Sequence, residues 1–184
     1  AASDVYKRLL EDWGCKFNTS TDSEILAQLL ANAPGRNWVE RVGYLMRKAE
    51  GAYSVTVMTK DSDIAVRDPM GVRPLCIGKL NSGWFVASES CALDHMGAEF
   101  IREVNPGEAI VINEDGLRTL YTAPPRKRSL CIFEYIYFAR PDSVIGGKAV
   151  YSLRRAMGSS LALAPPVDAD VVISIPDSAT PAAM

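Results

Sequence analysis

Histidine occurs once, at His95, and the four cysteines, Cys15, Cys76, Cys91 and Cys131, form no pair at metal-finger or redox spacing. A single His rules out a Ser-His-Asp or Cys-His engine inside this chain, and His95, with apolar Leu93 and Met96 beside it, reads as structural. Cysteines so spread, Cys131 set apart, read as reduced core thiols of a cytoplasmic protein. A basic excess is also missing: 20 Lys and Arg stand against 22 Asp and Glu, for a net charge of −2. That argues against nucleic-acid binding. No apolar run approaches the ~18 residues of a membrane span, and no basic-then-apolar leader opens the sequence. No membrane association is expected. Internal repeats and low-complexity segments are lacking as well. What is present is a chain of 184 residues, 48% hydrophobic. That suffices for one large domain, or one domain plus part of another, and excludes a disordered class.

The sequence opens Ala-Ala-Ser at a helix cap and stops at Pro181-Ala-Ala-Met184, one turn into an apparent helix. This is expected of an internal portion of a longer protein.

The first third predicts helices. Ser3 or Asp4 caps one whose apolar stripe is Val5, Leu9, Leu10 and Trp13, and Gly14 stops it. Thr21-Asp-Ser-Glu24 has capping-box spacing ahead of Ile25, Leu26, Leu29 and Leu30. Pro34-Gly35 breaks that helix, and Asn37 starts another carrying Trp38, Val42, Leu45 and Met46.

From Gly51 the period becomes two. Strands are predicted over 51–59, 64–67, 74–78, 84–88, 109–113 and 117–121, with a short helix over 91–96 and a hairpin at Asp115-Gly116. Short antiparallel strands beside segregated helices mean α+β layers. Ala123-Pro-Pro-Arg-Lys-Arg128 has neither period and reads as a connector. Beyond it, Phe133, Tyr135 and Tyr137 alternate as one face of a strand would. Tyr151 to Leu163 predicts a helix with Leu153, Met157 and Leu161 in register. Ala164-Pro-Pro166 ends it. Val171-Val-Ile-Ser-Ile175 is β-branched in the manner of a fully buried parallel strand, Pro176-Asp-Ser178 follows it, and Thr180-Pro181 looks like the next helix start. Strand, loop and helix in that order open an α/β sheet, whose ligands bind beyond the strand C-termini.

Three segments carry candidate chemistry. Arg67-Asp-Pro-Met-Gly-Val-Arg-Pro-Leu75 places Pro and Gly at turn positions between two strands, flanked by charges. Asp22 stands in a helix first turn, where a carboxylate complements the macrodipole and can also accept hydrogen bonds from an α-ammonium group. Cys131-Ile-Phe-Glu-Tyr-Ile-Tyr-Phe-Ala-Arg-Pro-Asp-Ser143 crowds four aromatics, two acids, one Arg and one Cys into thirteen positions.

With Ala87-Ser-Glu-Ser-Cys-Ala-Leu93, the Arg67–Leu75 string is similar to the paired motifs of the glutaminase domain of N-terminal-nucleophile amidotransferases. Within that superfamily the 131–143 stretch and Phe17–Leu26 resemble glutamine phosphoribosylpyrophosphate amidotransferases (amidophosphoribosyltransferases) of purine synthesis. The resemblance covers nearly the whole chain. It implies a fold of incomplete α+β glutaminase layers over 1–122, a linker over 123–130 and the beginning of an α/β phosphoribosyltransferase domain over 131–184. It implies glutamine and phosphoribosylpyrophosphate as partners, a homo-oligomer, and a catalytic Cys outside this chain. By the same resemblance Asp22 holds glutamine, Ser178 contacts Mg²⁺, Asp177 touches substrate, and Cys131 matches the first ligand of a [4Fe–4S] cluster found in some branches. Two alternatives stay open: another class II amidotransferase of the asparagine synthetase kind, and a degenerate module without catalysis.

Overall fold

The computed structural model describes residues 7, 8, 10–124, 126–164 and 167–184. The expected cap at Ser3 or Asp4, the stripe positions Val5 and Leu9, and Pro125, Pro165 and Pro166 lie outside the described residues. The chain divides into two units, residues 1–72 with 105–128 and residues 73–104 with 129–184.

In the first unit Lys7, Arg8 and residues 10–12 are helical, and Gly14 leaves the helix at φ +85°. Leu10 is fully buried, but Trp13, expected on the same stripe, is 53% exposed. It sits past the last helical residue, where the turn swings it off the buried face. Helix α1 (Asp22–Ala31) buries Ile25, Leu29 and Leu30. Its capping box does not form. Thr21 holds the N-cap position without a side-chain cap bond. Glu24 instead reaches back beyond the cap, accepting from Asn18 N at 2.8 Å, Thr19 N at 2.7 Å and Thr19 Oγ1 at 2.6 Å. The preceding loop offers three donors where the cap residue offers one. Helix α2 (Trp38–Lys48) does start as expected, with Asn37 Oδ1 accepting from Glu40 N at 2.9 Å, and buries Val42, Leu45 and Met46.

These helices share one apolar core with an antiparallel sheet. Its strands are β1 (Ser54–Met58), β2 (Asp63–Arg67), β6 (Glu108–Asn113) and β7 (Gly116–Thr122), in the order β1-β2-β6-β7. Ile64 faces Val57 on one side and Val111 on the other, so the register places β-branched residues together at the sheet centre. The hairpin at Asp115-Gly116 joins β6 to β7, with Gly116 at φ +102°.

The second unit holds β3 (Cys76–Leu80), β4 (Gly83–Ala87) and β5 (Glu99–Glu103) in the order β4-β3-β5. Strand β5 was not expected. Its Glu-Phe-Ile-Arg-Glu order does not alternate, and Phe100 and Ile101 are both exposed. Helix α3 (Ser90–Met96) ends on Gly97 at φ +69° and packs Leu93 against Gly78. His95 lies exposed in its last turn. Two-residue strands β8 (Val144–Ile145) and β9 (Lys148–Ala149) form a hairpin leading into α4 (Val150–Ala162), and α5 (Thr180–Ala183) packs closely on α4 where Gly158 lacks a Cβ.

Three expectations fail in this unit. Glu134–Phe138 is a wide helical turn, not a strand, closed by Ala139 N on Glu134 O at 3.1 Å. The alternation of Phe133, Tyr135 and Tyr137 loses to the side-chain anchors described below. On α4 the buried residues are Val150 and Arg154, whereas Met157 and Leu161 face solvent and Leu153 is half-buried. Val171–Ile175 forms no strand, and Ile173 is 85% exposed. An interior strand needs neighbours on both edges and cover on both faces. No described strand lies beside this one.

Antiparallel sheets with segregated helices give the α+β class read from the sequence.

Candidate functional site

The Arg67–Leu75 motif is a self-satisfied turn. Arg67 and Asp68 are fully buried. The Asp68 carboxylate accepts from Met70 N at 2.9 Å, Val72 N at 3.1 Å and Tyr53 N at 3.4 Å, and Gly71 N closes the turn on Asp68 O at 3.0 Å. Gly71 sits at φ +62°, and a Cβ there would stand 2.6 Å from Pro106 Cγ. Nearby, the Tyr53 hydroxyl is buried without a hydrogen bond to a described residue, and burial beside the Asp68 charge pushes its pKa up.

Asp22 is the first residue of α1. It is exposed and makes no hydrogen bond or ion pair to a described residue. Its neighbour Ser23 lines an apolar cavity of about 450 Å³ with Leu26, Leu30, Trp38, Val55 and Val57. A free carboxylate at a helix start is available to a cationic ligand.

In the second unit the aromatic turn is fastened from both sides. Arg154 of α4 is buried, and donates from Nε to Tyr135 O and from Nη2 to Ala139 O, both at 2.7 Å. Burial pulls its pKa down, so these carbonyls are what hold the cation inside. Glu134 is 2% exposed, and burial pushes its carboxyl up, opposed by Arg73. Arg73 Nε lies 2.8 Å from Glu134 Oε1, an ion pair whose N–H is not aimed along the bond, while its guanidinium stacks on Phe138 at 4.6 Å. Tyr135 Oη donates to Ile145 O at 2.9 Å. Arg140 and Asp142 form a two-pronged pair at 3.0 and 2.9 Å, which raises the Arg140 pKa and lowers that of Asp142.

Beyond this turn opens a cavity of about 590 Å³, lined by Tyr137–Pro141, Arg154 and Pro176–Ser178. Two of the four residues picked from the sequence, Asp177 and Ser178, therefore meet here, at the rim that carries Arg140. Asp22 belongs to the other unit. Cys131 is half-buried at the entrance to the aromatic turn, its carbonyl accepting from Glu134 N at 3.1 Å. Sequence reasoning missed Arg73, Glu89, Glu134 and Arg154. Arg73 and Glu89 stand inside the two quoted motifs without a role marked for either, and Glu134 shows only as a charge beside apolar Ile132 and Ile136.

Residues 3–95 match the model of the glutamine amidotransferase domain, and the chain belongs to that family. Its likeness extends further. It is 43% identical over 207 residues to the amidophosphoribosyltransferase of Mus musculus, across all of this chain and 40% of the relative. It is 43% identical over 177 residues to that of Archaeoglobus fulgidus, across 95% of this chain and 39% of the relative. Among solved structures it is similar to the glutamine phosphoribosylpyrophosphate (PRPP) amidotransferase of B. subtilis complexed with ADP and GMP, with a TM-score of 0.93 and 41% identity, over 98% of this chain and 40% of that one. The chain thus spans about two fifths of the length of these relatives.

Proposed function

We propose that the chain is the part of an amidophosphoribosyltransferase in which a glutamine amidotransferase domain, residues 1–122, passes through a linker, 123–130, into the start of a phosphoribosyltransferase domain, 131–184. The parent enzyme hydrolyses glutamine in the first domain. In the second, ammonia displaces pyrophosphate from phosphoribosylpyrophosphate to give phosphoribosylamine, the opening step of purine synthesis. The observation that carries this reading is the extent of the likeness. The amidotransferase family match ends at residue 95, while the likeness to amidophosphoribosyltransferases covers the whole chain. An amidotransferase with another acceptor domain gives no reason for residues 131–184 to match.

In this reading Asp22 accepts hydrogen bonds from the glutamine α-ammonium, and the nucleophilic thiolate comes from outside these 184 residues. The cavity bounded by Arg140, Asp177 and Ser178 takes the pyrophosphate end of the second substrate. Magnesium fits it. The Ser178 hydroxyl and Asp177 carboxylate supply hard oxygens, and Mg²⁺ is held by one or two such groups together with substrate phosphates. Such an ion, held by Ser178 and Asp177, would supply positive charge to the leaving pyrophosphate. An iron–sulfur cluster does not fit this chain by itself. It needs four thiolates. Burial pushes Cys76 up to about 12 and raises Cys91 as well, and Cys15 belongs to the other unit. Among the described residues no group of three His, Cys, Asp or Glu is arranged to hold a metal. Cys131 remains as a single ligand of a cluster completed elsewhere. A cytoplasmic enzyme accords with the free thiols of the described residues, and a homo-oligomer is what the family resemblance implies.

Calorimetric titration of the full-length parent with phosphoribosylpyrophosphate and Mg²⁺ tests the reading. The wild type is expected to bind, and Ser178→Ala to bind more weakly. Equal affinity removes Ser178 from the site. No binding by the wild type favours an asparagine-synthetase-like acceptor domain instead.

A further inference from the structure

Glu89 belongs to the Ala87–Leu93 motif, inside the segment that matches the glutamine amidotransferase domain. It occupies the N-cap position of α3 yet makes no side-chain cap bond to that helix. Its Oε2 is engaged elsewhere, accepting from Arg140 N at 2.8 Å and Ser143 Oγ at 2.7 Å. Ser90 Oγ accepts from Val144 N at 2.8 Å, and Glu103 Oε1 from Gly146 N. Three backbone N–H groups and one hydroxyl of residues 140–146 thus end on side chains of the α3 cap and β5. Ser143 and Ser90 are buried, so water does not replace these bonds at low cost. The held segment has little regular structure of its own: one turn, closed by Ser143 N on Arg140 O at 3.1 Å, and a two-residue hairpin. Arg140 and Pro141, at its head, line the cavity shared with Asp177 and Ser178.

We propose that Glu89 is a positioning residue for the phosphoribosylpyrophosphate pocket, setting the height of the Arg140–Pro141 rim through Arg140 N and Ser143 Oγ. A motif of the amidotransferase family thereby serves the second substrate. The inference rests on the function proposed above. Glu89 touches no substrate; it fixes where Arg140 starts, and the guanidinium of Arg140 is already aligned by Asp142. Losing the anchor frees the rim, and the occupied site then bears the ordering cost.

The test is steady-state kinetics of the full-length parent with Mg²⁺–phosphoribosylpyrophosphate and ammonia, alongside glutamine hydrolysis measured separately. Loss of a charge-assisted anchor is expected to raise the KM for phosphoribosylpyrophosphate about tenfold in Glu89→Ala, with kcat and glutamine hydrolysis within about twofold. Glu89→Gln keeps one acceptor oxygen and is expected to recover most of the loss. If Glu89→Ala does not fold, Ser143→Ala removes only the hydroxyl donor and is expected to raise the same KM by about threefold. An unchanged KM in both variants overturns the proposal, as does a parallel fall of both activities in folded protein. A wild-type parent that does not use phosphoribosylpyrophosphate removes the pocket itself, and so the functional reading, a result separable from either outcome.

Discussion

Arg154 donates to the carbonyl of Ala139 at 2.7 Å from inside the protein, with 2% of its surface exposed. The same guanidinium takes Tyr135 O. One side chain of α4 therefore completes the hydrogen bonding of the aromatic turn. Arg154→Leu removes the guanidinium donor from the buried Ala139 carbonyl and from the part-buried Tyr135 carbonyl. It should lower stability by roughly 2–5 kcal/mol, read as a shifted urea midpoint at constant slope. Arg154→Lys, a point charge that reaches one carbonyl at a time, should recover part of this. A midpoint equal to wild type for Arg154→Leu would mean that water reaches both carbonyls.

Asp22→Asn keeps the size of the residue and removes its charge. If the carboxylate holds the glutamine ammonium, kcat/KM for glutamine in the parent enzyme falls by a factor equivalent to roughly 1.5–3 kcal/mol. The ratio of ammonia-driven to glutamine-driven synthesis rises accordingly. A ratio that stays put while both rates fall makes Asp22 a helix-start charge and nothing more.

Glu24 predicts a pH effect. Hydrogen bonds from the Thr19 hydroxyl and from Asn18 N hold its carboxyl below the ordinary 4.5. A carboxylate with a depressed folded pKa contributes stability that is present above the unfolded value and is lost as pH falls through the folded one. The loss should therefore begin below pH 4.5 and be complete only once Glu24 titrates in the native state. Carboxyl-resolved NMR titration should show its midpoint moving up toward 4.5 in Thr19→Val. An unmoved midpoint rules out the hydroxyl as the main cause.

Arg126, Lys127 and Arg128 are exposed and lie outside helix and strand. Trypsin should cut the folded parent there before other sites, leaving an N-terminal product that retains the β1-β2-β6-β7 sheet. First cleavage within 131–184 would place the proposed linker wrongly.

Much of the first unit was legible because its signals are local. Asn37 caps the helix three residues ahead of it, Gly14 stops a helix, and Asp115-Gly116 turns a hairpin. These are decided within one turn of chain. The aromatic stretch misled because its order is set by partners far away in sequence, Arg73 and Arg154, against which alternation counts for little. Asp177 and Ser178 were singled out through the family resemblance, and both line one cavity even though Val171–Ile175 is not paired. Glu89 lies in the Ala87–Leu93 motif, but nothing local marks its role, because its acceptor oxygen is used more than fifty residues downstream.

The exposed run Val171–Ile175 also bears on how the 184-residue chain behaves in a tube. Its side chains are β-branched or small, it carries no charge or proline, and its backbone groups are free of a sheet. Such a segment is a template for intermolecular β-pairing. Turbidity should rise with concentration and warmth through this stretch before the folded units melt, and a lysine at position 173 should act as a gatekeeper, keeping the chain dispersed without touching either core.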